Sequence, residues 1–77
     1  MLHKERVIYS FSTTSQAMKM EKVCMSLSAP GGIIPLPSAI AAGCGLAWAA
    51  DSDKADILDE IIKNNNLTVS GRTIMFL

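Results

Sequence analysis

Ile33–Trp48 constrains the fold more than any other stretch of this chain. It holds two of the three prolines and, near its end, the string Gly43-Cys44-Gly45. Proline has no amide donor and glycine loses the most backbone entropy on ordering, so neither a long helix nor a central strand can run through the segment. The stretch is therefore a hinge. The residues before it read as one strand and one helix. Those after it read the same way, with a last strand added.

Val7–Phe11 alternates, with Val7, Tyr9 and Phe11 on one side and Ile8 and Ser10 on the other. Apolar residues on both faces predict a central strand. Thr13 followed by Gln16 makes a capping box. The helix it opens is predicted to reach about Ser28, burying Ala17, Met20, Val23, Cys24 and Leu27 and leaving Met18 and Met25 half exposed. Pro30-Gly31-Gly32 is expected to end it. Ile33–Leu36 reads as a short strand, at an edge because of Pro35. Ser38–Ala42 is expected to form one helical turn, capped by Ser38 and stopped by Gly43.

Leu46–Ala50 is the next strand. Leu46 and Trp48 share one face, and Ala47 and Ala49 the other. The small alanines suit the face pressed against a helix, which would leave Trp48 partly exposed. Asp51-Ser52-Asp53 supplies acceptors where a second helix begins. Capping also accounts for the metal-like spacing of Asp51, Asp53 and Asp56. Ala55, Leu58, Ile61 and Ile62 form the buried stripe, with Asp56, Asp59, Glu60 and Lys63 towards solvent. Asn64–Asn66 stops the helix, one asparagine taking the left-handed conformation. Ser70-Gly71 marks a bend before the last strand, Arg72–Leu77.

The order β-α-β-β-α-β, with right-handed crossovers, gives an α+β ferredoxin-like plait. Its four-stranded antiparallel sheet has spatial order 4-1-3-2, with both helices on one face. All of residues 1–77 are read as a single domain. A chain of 77 residues has a thin core, so a second copy is a possible source of stability. Seven basic residues balance seven acidic ones, which argues against nucleic acid as a partner. The apolar run Ala39–Ala50 is broken by glycine and too short for a membrane span, and no signal peptide is read at the start. A soluble, cytoplasmic protein is expected. Two cysteines, without a CxxC or a histidine cluster, make neither a disulfide framework nor a zinc site, so free thiols and no cofactor are expected.

Cys44 is the one candidate for chemistry. In the plait, the third strand lies beside the first and starts at the end where the first helix starts. Cys44 is thus expected near Thr13 and Thr14, whose amides and partial positive charge would stabilise a thiolate. Gly43 and Gly45, the binding candidates beside it, permit a tight turn and leave room around the sulfur. Hydroxyls of Ser12, Thr13 and Thr14 are possible further donors. The competing reading makes Cys44 a small apolar filler. Cys24, in the middle of a helix stripe, reads as core. His3 is the lone histidine and no carboxylate is placed beside Cys44, so a hydrolytic triad is unsupported.

Phe11-Ser12-Thr13 ahead of a helix with Ala17 and Glu21, then Ile34-Pro35-Leu36-Pro37, Ile40 and Cys44-Gly45-Leu46-Ala47, resembles the small selenium/sulfur carrier-like domain family. The resemblance covers about Val7 to Leu77, and its most specific part is Ile34–Gly45. It implies a carrier, more than an enzyme with its own turnover, in which Cys44 accepts sulfur or selenium as a persulfide or perselenide and passes it on. The implied partners are donor and acceptor proteins. Trp48-Ala49 departs from the Leu-Arg-like pair such domains often carry there, and Arg72 on the last strand could substitute for that basic residue only if it reached the same end. The alternative function is a non-enzymatic interaction or self-association module that uses the exposed sheet face, the proline-rich edge and Trp48, with Cys44 structural. A small thiol redox enzyme ranks behind both, because no resolving cysteine lies near Cys44.

Overall fold

A computed structural model describes residues 4–40 and 43–77. In chain order the elements are β1 (Glu5–Ser10), α1 (Thr14–Ser26), β2 (Gly32–Pro35), β3 (Leu46–Asp51), a 3-10 turn (Ser52–Lys54), α2 (Ala55–Asn64) and β4 (Gly71–Phe76). The strands form one sheet in the order β2-β3-β1-β4, and every neighbouring pair is antiparallel. This is the spatial order expected of a ferredoxin-like plait. Pro35 does lie on an edge strand, where its missing amide costs no ladder bond.

The helix-bearing face of the sheet holds the main core. Val7, Tyr9 and Phe11 of the β1 segment, with Trp48 and Ala50 of β3, pack against Ala17, Met20 and Cys24 of α1 and Ala55 and Leu58 of α2. Trp48 is therefore 2% exposed, not partly exposed as its neighbours suggested. Tyr9 pairs with Trp48 across the ladder, so both stand on the same face, and the indole N–H donates to the Pro30 carbonyl at 3.1 Å. Ala47 and Ala49 point the other way, which reverses the expected assignment of the two β3 faces.

That second face carries no helix, yet Ile8, Ala47 and Ala49 on it are buried. Leu36 and Ile40, with Ile34 and Met75, pack over them. The Leu36 N–H donates to the Gly45 carbonyl at 2.8 Å, extending the β2–β3 ladder by one step. A turn then closes with the Ile40 N–H on the Pro37 carbonyl at 2.9 Å. The alanines are small because the returning loop lies directly on them. The helical turn expected over 38–42 is a Pro37–Ile40 turn as far as it is described, and Ala41 and Ala42 lie outside the described residues.

Both helices end in the same way. Ser28 and Asn66 each take φ 53°, the left-handed region. Ala29 and Leu67, one residue later, reach back to the carbonyls of Cys24 (2.8 Å) and Ile62 (3.0 Å). Two Schellman motifs thus satisfy the last carbonyls. The α1 helix stops at Ser26, before Pro30 is reached, and Leu27 at its cap is exposed rather than buried. At the start of α2 the expected side-chain caps are absent: Asp51 and Lys54 make none. Asp51 lies 3.9 Å from Arg6 and 4.0 Å from Lys4, and Ser52 Oγ donates to Glu5 at 2.8 Å. The charges on β1 attract these groups, and a 3-10 turn leads into the helix instead.

Candidate functional site

Three connections meet at one end of the sheet: residues 11–13 into α1, 36–45 between β2 and β3, and 65–70 into β4. The β1 segment supplies their common frame. Successive main-chain carbonyls of a strand point to opposite sides. The Ser10 carbonyl faces β4 and accepts from the Ser70 N–H at 2.8 Å, whereas the Phe11 carbonyl faces β3 and accepts from the Cys44 N–H at 3.1 Å.

Cys44 is thereby tied, backbone to backbone, to a residue two positions ahead of Thr13, the N-cap of α1. Thr13 Oγ1 accepts from the Gln16 N–H at 3.2 Å. Gln16 returns its side-chain oxygen to the Ser12 N–H at 3.0 Å, one residue earlier than in a standard capping box. Thr14 opens the helix and is exposed. Ser12 is not a donor to the thiol: its hydroxyl is hydrogen-bonded to that of Ser70, on the β4 flank, while Cys44 joins on the β3 flank.

The two glycines beside Cys44 act differently. Gly43 has φ +105°, and a Cβ there would run into the Phe11 carbonyl oxygen. It is required both by its backbone and by the closeness of the two chains. Gly45 has φ +83° but faces open space. Between them Cys44 is half-buried against the main core, its Sγ 4.0 Å from the Leu46 carbonyl, a long and weak thiol contact. Both cysteines are free. Cys24 is fully buried on the inner side of α1, and burial pushes its thiol up from the ordinary value, so it packs as a core residue.

A polar cluster on the helix-bearing face escaped the sequence reading. Tyr9 Oη donates to Asp59 Oδ1 at 2.6 Å and also lies 3.3 Å from the Ala55 carbonyl. Arg72 Nε donates to the same Asp59 oxygen at 3.1 Å. Asp59 is thus half-buried and hydrogen-bonded instead of solvated. A tyrosine on the core face of a central strand needs a partner for its hydroxyl, and that was the available signal. Arg72, expected to supply a basic residue to the Cys44 end only if it reached that end, is held by this carboxylate. A shallow hollow outside α1, lined by Met18, Lys19, Glu21, Lys22 and Met25, shares no residue with the Cys44 end. Among the described residues no group of three or more histidines, cysteines or acids could hold a metal ion, and no helix is long and apolar enough to cross a membrane.

The model of a family described as "Putative Se/S carrier protein-like" matches residues 6–72. The chain belongs to this family. The matched span takes in β1 from Arg6 onwards, both helices and all three connections at the Cys44 end. No curated protein and no solved structure matches the chain.

Proposed function

We propose that the protein carries sulfur or selenium on Cys44, taking the atom from a donor protein as a persulfide or perselenide and delivering it to an acceptor protein. The observation that carries this reading is the free, half-buried Cys44 in a loop anchored to the segment that opens α1, within a chain of the carrier-like family. The Cys44 sulfur attacks the outer sulfur of a donor persulfide. The donor S–S bond breaks, a new S–S bond forms on Cys44, and the donor leaves as a thiolate. The atom moves at constant oxidation level, so no separate oxidant or reductant enters. Selenium takes the same course from a donor perselenide.

Thr13 and Thr14 act in this reading through the first turn of α1. That turn leaves N–H groups without intrahelical partners at the end of the sheet where the Cys44 loop is anchored, and these are available to an incoming donor group. Gly43 lets the loop close onto the Phe11 carbonyl, and Gly45, beside open space, leaves room for a donor to approach. In this reading the donor and acceptor proteins supply the proton transfers. A thiol that must stay reduced between transfers fits a reducing compartment, the cytoplasm.

Incubation with a cysteine desulfurase and cysteine, then peptide mass mapping, is expected to add one sulfur atom at Cys44. Cys44→Ala should abolish the gain and Cys24→Ala should leave it. Addition at Cys24, or equal addition to the Cys44→Ala protein, would overturn the reading.

A further inference from the structure

The two edges of the sheet are built differently. The β2 edge is four residues long and ends on Pro35, whose missing N–H blocks further pairing. The β4 edge is six residues long, Gly71-Arg72-Thr73-Ile74-Met75-Phe76, with no proline and no lysine. Ile74 is 42% and Phe76 65% exposed on it. Its outer side has no strand partner among the described residues. A long apolar edge without such protection is a template for pairing.

The hydrogen-bond phase of β4 fixes which groups are free. Lys4 and Leu77 exchange both main-chain bonds, at 3.1 and 3.0 Å. Such pairs alternate along an antiparallel ladder. With the observed register, Met75, Thr73 and Gly71 turn their main-chain groups towards β1. Arg72, Ile74 and Phe76 turn theirs outwards. The side chains of these three stand on the helix-bearing face, level with Tyr9, Val7 and Glu5.

We infer that two copies of this chain pair through β4, antiparallel about a two-fold axis at Ile74, joining their sheets edge to edge. In that register every outward main-chain group of the strand meets one of its copy. Ile74 faces its own equivalent, and Arg72 faces the partner's Phe76 on each side. No charge opposes a like charge. The Arg72 guanidinium is already held by Asp59 at 3.1 Å and meets an exposed ring, an arrangement that favours cation–aromatic contact. A slip of one residue would place the apolar row on the wrong face. A register centred on Thr73 would set Phe76 opposite Ser70, beyond the strand end.

Sedimentation velocity over a range of concentrations tests this, and the wild-type chain is expected to form dimers. I74K opposes two ammonium groups and removes the apolar pair. It is expected to weaken the dimer by at least about a hundredfold while the far-ultraviolet circular dichroism stays unchanged. In a Cys44→Ser background, oxidised I74C is expected to form a cross-linked dimer and T73C is not, because only position 74 faces its own copy at bridging distance. A wild-type chain that stays monomeric, a dimer that survives I74K, or cross-linking through T73C in place of I74C would each overturn the proposal. Sulfur loading at Cys44 by I74K is a separate readout, and its expected retention keeps this interface distinct from the carrier chemistry.

Discussion

Replacing Gly43 by alanine is expected to remove a large part of the stability of the domain. Its φ of +105° lies where residues with a Cβ are strained by about 1–3 kcal/mol. A Cβ there also meets the Phe11 carbonyl oxygen, which is rigid backbone and cannot swing aside. Relief requires the β2–β3 connection to move off β1, which breaks the bond from the Cys44 N–H. A combined loss of about 3 kcal/mol is expected, against a total of roughly 4–12 kcal/mol for a chain of this size. Gly45→Ala provides the control. It bears the strain of φ +83° but meets nothing, so about 1 kcal/mol is expected. Urea unfolding with unchanged m-values measures both. Equal losses at the two positions would mean that the Phe11 contact does not hold the loop.

The second large effect concerns Tyr9 and Asp59. Tyr9→Phe removes a hydrogen bond to a charged group, worth about 1.5–3 kcal/mol when well shielded. The Asp59 side chain is 42% exposed, so water replaces part of that bond and the loss should fall at the lower end. The pH dependence carries a sharper signature. Burial raises both groups, and for the phenol the Asp59 carboxylate adds to that rise. For Asp59, the bonds from Tyr9 and Arg72 outweigh burial and hold the carboxyl below its ordinary value. A depressed carboxyl contributes stability that is present above the unfolded value, near pH 4, and is lost as pH falls through the folded one. A raised phenol contributes stability that is lost as pH rises above its ordinary 10.0. Tyr9 is the only tyrosine, so phenolate absorbance reads it alone. Its ionisation is expected only together with alkaline unfolding, and the acid limb of the stability curve should be shallower in Tyr9→Phe. Ionisation of the native chain near pH 10 would contradict the burial and bonding described.

Alternation in β1 and the helix stripes carries the topology, because a period of two or of 3.6 is a property of the local chain. The place of Cys44 comes from topology alone: a strand antiparallel to β1 and next to it must begin where β1 ends. Periodicity says which residues share a face, but not which face is covered. That is why alternation puts Trp48 and the β3 alanines on the wrong sides. The cover over Ile8, Ala47 and Ala49 comes from Leu36 and Ile40 in an irregular loop, which has no period to betray it. The end of α1 is hidden because a serine, not a glycine, occupies the left-handed position. Asp59 looks solvated in the sequence because its partners, Tyr9 and Arg72, come from strands outside its own helix. The expected interaction surface changes accordingly. Trp48 is buried, and Leu36 and Ile40 cover Ile8, Ala47 and Ala49 on the helix-free face, while β4 lies at an edge of the sheet with Ile74 and Phe76 exposed.

A carrier differs from a merely modifiable cysteine in giving its cargo up. The direct measurement is a single-turnover discharge. The chain is loaded at Cys44 with radiolabelled sulfur, separated from its donor, and mixed with an excess of a small thiol acceptor. Carriage on Cys44 predicts that the label leaves as the acceptor persulfide and that the Cys44 thiol is regenerated and can be loaded again. Label that stays on Cys44, or a cysteine that emerges unable to take a second sulfur, would contradict it.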